Sequence, residues 1–130
     1  MKRSTLYLEN SVFGFYYDLR LENKSKMQAT RILFDQIKKD IFEAFTSPLT
    51  IVELYIAPEL LKNKLLALVR DYDIEVNDID KNEFEILGEK YMAEKIVPEE
   101  FRNDARHVAY ATLLRVDILV SMNLEHIANE

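Results

Sequence analysis

Two rhythms of apolar positions alternate along this chain, short apolar runs and longer stretches with a period of about 3.6 residues, as when strands alternate with helices. Thr5 to Leu8 reads as a short buried strand. Asn10-Ser11 offers cap chemistry for a helical turn from Val12 to Tyr17. Asn23 or Ser25 can cap a long amphipathic helix that places Met27, Thr30, Ile32-Leu33 and Ile37 on one face. Phe42 to Thr46 is a second strand. Ser47-Pro48 then pairs an N-cap with proline at the first helical position, opening a helix that carries Glu53 and stops near Ala57-Pro58.

The second half keeps the same alternation. Glu59 to Tyr72 is a helix with Leu60, Leu61, Leu65, Leu68 and Val69 on one side, followed by a short strand from Ile74 to Val76. Asp80 caps a helix to Glu94 that buries Phe84, Leu87 and Tyr91. Asn103-Asp104 opens a helix with Ala105, Val108, Ala109 and Thr112 on a tightly packing face. Asp117 to Ser121 is the last strand, and Asn123 to Ile127 a last helical turn. With no linker, repeat or low-complexity segment, residues 1–130 read as one domain. The predicted class is α/β, a three-layer α/β/α arrangement around a short, mostly parallel central sheet.

Composition narrows the chemistry. The chain has 130 residues, 48% of them apolar, enough for one core, and no run approaches the roughly 20 apolar residues of a membrane helix. Met1-Lys2-Arg3-Ser4 leads into no signal-peptide stretch, so a cytoplasmic protein without a membrane role is expected. There is no cysteine, which excludes disulfides, thiolate metal sites and a cysteine nucleophile. The only histidines are His107 and His126, and the only glycines Gly14 and Gly88. Glycine-rich phosphate loops are therefore excluded. Any metal has to be held by oxygen, which points to Mg2+ or Mn2+. The net charge of −6 argues against simple nucleic-acid binding, although the 17 basic residues can gather on one face.

Three carboxylates stand out by position. Glu9 follows the first strand, Glu53 lies on the helix after the second, and Asp104 begins the helix before the last. In an open parallel sheet the functional crevice lies beyond the carboxyl ends of the strands. These three acids and Asn123, just after the last strand, can all reach that edge. A carboxylate beside buried apolar residues needs neutralising, and three of them converging would hold a divalent cation.

Four phrases in this order carry a resemblance. They are the opening acid with Ser11, the acid of the third helix, Asp104-Ala105-Arg106-His107-Val108-Ala109-Tyr110-Ala111, and the ending Ile118-Leu119-Val120-Ser121-Met122-Asn123. Together they make the chain resemble a PIN-domain ribonuclease, most closely the VapC-like toxins of type II toxin–antitoxin systems. The resemblance implies a PIN-like fold and metal-dependent hydrolysis of RNA phosphodiester bonds. It implies Glu9, Glu53 and Asp104 as metal ligands and Asn123 as a fourth catalytic position. It also implies Ser11 and Ser121 as hydroxyls supporting the acids, with RNA as substrate, an antitoxin protein as partner and a homodimer. Arg102 and Arg106, flanking Asp104, are candidate phosphate-binding residues. Asp is usual in the family where this chain has Glu9, and often where it has Asn123. These two departures define the alternative, a weakened PIN-fold module that binds RNA or a protein without cleaving.

Bland readings stand beside these. Glu9 also admits a reading as an acid of a cap region, Glu53 as a solvated helix residue and Asp104 as a plain cap. His107 is expected to be a packed or partly exposed helix residue, and His126 a surface one. Asp117 opens the last strand at the edge away from the crevice and reads as turn chemistry. Phe13, Phe15, Tyr16 and Tyr17 favour core and subunit contact over stacking on RNA. The pairs Lys24-Lys26 and Lys38-Lys39, and the acids Glu94, Glu99 and Glu100, read as solvated faces.

Overall fold

The computed structural model describes residues 2–79, 82, 86, 87 and 102–122, with side chains throughout except at 102–104. The order is β1 (Ser4–Leu8), α1 (Asn10–Tyr16), a single 3-10 turn (Leu21–Asn23), α2 (Lys24–Lys38), β2 (Phe42–Thr46), α3 (Pro48–Leu54), α4 (Glu59–Asp71), β3 (Glu75–Val76), α5 (Arg102–Leu113) and β4 (Ile118–Val120). The four strands form one sheet in the order β3-β2-β1-β4, and every pairing is parallel.

Strand β1 shows why the sheet needs cover on both faces. Successive side chains point to opposite sides, and Leu6, Tyr7 and Leu8 are all buried. Leu6 and Leu8 enter a core built with Phe13 of α1, Phe34 and Ile37 of α2, Ala44 of β2, and Leu65 and Leu68 of α4. Tyr7 enters the opposite core with Ala109, Tyr110 and Ala111 of α5. Helix α3 serves both, with Leu54 in the first and Leu49 against the second. The result is a three-layer α/β/α fold whose sheet is parallel throughout.

Helices α2, α4 and α5 end alike. Asp40, Asp73 and Arg115 take the left-handed conformation, with φ of 60°, 51° and 58°. The next residues, Ile41, Ile74 and Val116, donate backbone N–H bonds to Gln36, Val69 and Ala111 at 3.0, 3.0 and 3.2 Å. This 6→1 closure with an apolar residue is a Schellman stop, and it turns each helix directly into the strand that follows. Glycine is the residue that adopts this conformation without steric cost; here the helices stop without it.

Several local expectations are corrected. The cap of α1 is Glu9, whose side chain accepts from the Ser11 N–H, rather than Asn10 or Ser11. Asn23 precedes α2 but makes no side-chain cap bond; its amide donates to Asp18 instead. Ile32 and Leu60, both assigned to buried faces, are 60% and 82% exposed. Phe34 is buried where Ile32 was expected, because α2 is rotated to seat Phe34 edge-on against Phe13, Tyr16 and Tyr72. Ser47 does cap α3, with Pro48 at its first position. Of the predicted helix over 80–94, residues 82, 86 and 87 are helical and the rest lie outside the described residues, as does the turn over 123–127.

Candidate functional site

Strand order decides where chemistry can happen. The chain moves outward from β1 through β2 to β3, then returns on the other side of β1 as β4. The point where the order reverses lies between β1 and β4, and in open parallel sheets ligands bind at the carboxyl ends of the strands there. Leu8 pairs with Val120, so the residues that leave the sheet at this point are Glu9 and Ser121.

Glu9 is buried, 2% exposed, and its Oε1 gathers three donors. The Ser11 backbone N–H donates at 3.0 Å and the Ser121 hydroxyl at 2.9 Å, and the Ser11 hydroxyl makes a close contact as well. The Met122 backbone N–H donates to the Ser11 oxygen at 2.9 Å. The Glu9 N–H itself donates to the Val120 carbonyl at 3.2 Å. Among the described residues none donates to Oε2. Burial pushes the Glu9 carboxyl above its ordinary range. The hydrogen bonds from Ser11 and Ser121 oppose that shift only in part.

A second polar chain runs beneath the same edge. His107 of α5 is buried, 1% exposed. Its Nε2–H donates to Glu53 Oε1 at 2.6 Å, since a carboxylate can only accept. Its Nδ1 lies 2.7 Å from the Tyr7 hydroxyl. With the proton on Nε2 of a neutral ring, Nδ1 accepts from Tyr7. The Tyr7 hydroxyl in turn lies 2.6 Å from the Ser47 hydroxyl and 3.5 Å from that of Thr50. Burial raises the Tyr7 phenol well above its usual value, so it stays protonated and able to donate. Thus Glu53, on α3, is fixed by an imidazole that is itself seated on the central strand. A neighbouring bond, from the Thr46 hydroxyl to the Leu8 carbonyl at 2.7 Å, ties β2 to the end of β1.

The predicted site residues are distributed as follows. Glu9, Ser11 and Ser121 meet in one hydrogen-bonded cluster. Glu53 faces inward to His107 rather than out to solvent; its side chain is 12% exposed. Arg106 is half-buried on α5, in the same helical stretch as His107. Asp104 and Arg102 lie in the first turn of α5, three and five residues before His107, and their side chains fall outside the described residues. Asn123 and His126 lie outside them altogether. Among the described residues no three His, Asp or Glu side chains form a group able to hold a metal. Asp117 sits at the far edge, where its carboxylate accepts the Thr5 N–H at 2.8 Å and the Thr5 hydroxyl at 3.1 Å.

The donor chemistry fits a hard divalent cation: Glu9 and Glu53 offer only oxygen, and Oε1 of Glu9 is already oriented by its three donors. Sequence reasoning missed Tyr7, Ser47, Thr50 and the role of His107. Their partners lie 40 to 100 residues away, and no local pattern marks them. A larger cavity, about 440 Å3, opens near Arg3, Asp40, Glu43 and Asp73 at the amino ends of β1 and β2, the wrong edge for a parallel-sheet site. The chain matches no family model, and comparison with curated proteins and with solved structures gives no match.

Proposed function

We propose that this protein is a Mg2+- or Mn2+-dependent endoribonuclease of the PIN-domain, VapC-like type. The observation that carries the reading is Glu9 at the switch point, held by hydroxyls from α1 and from the segment after β4, while His107 fixes Glu53 from the helix that also bears Asp104. In this reading Glu9, Glu53 and Asp104 hold the cation. Ser11 and Ser121 keep the Glu9 carboxylate aimed, and Asn123 orients a water. Arg102 and Arg106 take flanking phosphates. The bound ion would supply a water of lowered pKa and polarise the phosphate. An antitoxin partner and a homodimer belong to the same proposal. Val52 of α3, Ile56 of the turn after it and Leu60 of α4 support it, being large apolar side chains left exposed.

RNA cleavage in Mg2+ by the wild type, Glu53→Gln and Asp104→Asn tests the proposal. Cleavage should fall at least a hundredfold in either variant. Equal cleavage by all three proteins would remove it.

One observation favours a second reading, a module that binds RNA or protein without cleaving: Glu9 is buried and its carboxyl is shifted toward the neutral form. Calorimetry with Mn2+ separates the two. Micromolar binding that Glu53→Gln abolishes speaks against a dead site.

A further inference from the structure

A second opening, of about 350 Å3, begins at Ser11 beside the Glu9 carboxylate and runs past Gly14 to Phe15, Tyr17 and Leu61. The ion pair of Asp18 with Arg20, 2.6 Å, closes its far end. Gly14 is the informative residue. It lies inside α1, outside the left-handed region, and a Cβ placed on it meets nothing within 4 Å among the described residues. A glycine within a helix costs about 1 kcal/mol relative to alanine. Neither the backbone conformation nor packing among the described residues requires one here. What the missing side chain does is leave the wall of this slot open.

Two of the lining residues are aromatic, and a lysine stands over each of their rings. The Lys26 ammonium lies 5.1 Å from the Phe15 ring centre, and that of Lys64 5.7 Å from the Tyr17 ring centre. An acidic chain has set two cations beside two aromatic walls, in a slot continuous with its candidate catalytic acid. We propose that the slot is a subsite for one unstacked nucleobase of single-stranded RNA, from the nucleotide next to the phosphate that a cation on Glu9 would hold. The aromatic walls and the open face at Gly14 take the base, since every base has an apolar face that packs on aromatic rings. The two lysines take the phosphates on either side. An apolar side chain of a partner protein would find the same walls, but an ammonium group beside each of the two rings and the presence of Ser11 in the lining match a phosphate-linked ligand better. This subsite rests on RNA being the ligand of the site described above, whether or not that site cleaves it.

The test is fluorescence anisotropy with a labelled single-stranded hexaribonucleotide in EDTA, on the wild type, Gly14→Ala, Gly14→Leu and Glu53→Gln. Alanine and leucine are strong helix formers, so both Gly14 variants should melt at or above the wild-type temperature. Gly14→Leu should nevertheless bind on the order of tenfold more weakly, the scale of one lost base contact. Moving an abasic residue along the hexamer should cost the wild type a similar factor at one position, and cost Gly14→Leu nothing more there. Glu53→Gln should keep the binding while losing cleavage in Mg2+. Wild-type affinity in Gly14→Leu, or an abasic penalty at that position equal in both proteins, overturns the subsite and leaves the slot to another occupant. A wild type that binds no single-stranded RNA overturns it too. A Gly14-dependent affinity in a wild type that cleaves nothing supports the subsite and removes the nuclease reading alone.

Discussion

Replacing Tyr7 with phenylalanine removes one oxygen atom from the middle of the sheet and should cost far more than its size suggests. The ring stays buried in the α5-facing core, so the hydrophobic contribution is unchanged. The loss is polar. His107 Nδ1 forfeits its 2.7 Å partner, and the Ser47 hydroxyl its 2.6 Å partner, where water has no ready access. A buried acceptor left unpaired costs about 1–3 kcal/mol and a lost hydrogen bond about 1 kcal/mol, so the expected destabilisation is about 2–4 kcal/mol. An unfolding entropy of about 2.1 cal/mol/K per residue converts this to a fall in Tm of roughly 7–15 °C for a chain of this length. Urea unfolding followed by circular dichroism measures the free energy, and an unchanged m-value would show that compactness is unaffected. Tyr16→Phe is the control, since the Tyr16 hydroxyl makes a 3.2 Å contact with Tyr72 in a partly buried position. Ser47→Ala should cost at least 0.5 kcal/mol less in the Tyr7→Phe background than in the wild type, because the two share one network. If Tyr7→Phe lies within 1 kcal/mol of the wild type, and no lower than Tyr16→Phe, the relay to Glu53 is not a structural unit and the reasoning fails.

Three further outcomes follow from the same coordinates. Burial raises the Glu9 carboxyl above its ordinary range, so its folded form favours the proton. Its contribution to stability is complete below the unfolded value and is lost as pH rises through the folded one. Glu9→Gln, which keeps an acceptor oxygen for Ser11 and Ser121, should therefore match the wild type in acid and exceed it at neutral pH. Parallel pH–stability curves would contradict this. Phe34→Ala empties a fully buried site ringed by Phe13, Tyr16 and Tyr72 and should cost about 3–5 kcal/mol in chemical denaturation, whereas Ile32→Ala, at an exposed position of the same helix, should cost under about 1 kcal/mol. Arg115→Gly relieves a left-handed residue at the stop of α5 and should raise stability by up to about 1 kcal/mol in thermal melts; a loss would mean that the Arg115 side chain has a structural role.

Most elements were legible because their signals are local. Phe42–Thr46 appears as a strand in both sequence and structure, and Ser47-Pro48 starts α3 because a hydroxyl cap followed by proline suits a helix start. Helix rotation was less legible. The apolar face read from the sequence took in Ile32 and Leu60 and left out Phe34, and only packing against α1 and the sheet selects between them. The fully buried run Leu6-Tyr7-Leu8 pointed to a doubly covered strand, yet gave no sign that Tyr7 is a polar centre, since a tyrosine in a strand looks the same with or without a partner for its hydroxyl.

What the chain determined alone is the kind and order of its elements and the absence of thiol and glycine-loop chemistry. Those properties depend on residues within a turn or two of each other, or on composition. The tertiary structure decided that β4 lies beside β1, which brings Ser121 to Glu9 across 112 residues. It also seated His107 between Tyr7 and Glu53, 100 and 54 residues away. Such contacts follow from which strands pair and which helix covers which face. That choice is made by burying apolar surface over the whole molecule, and no short segment carries it.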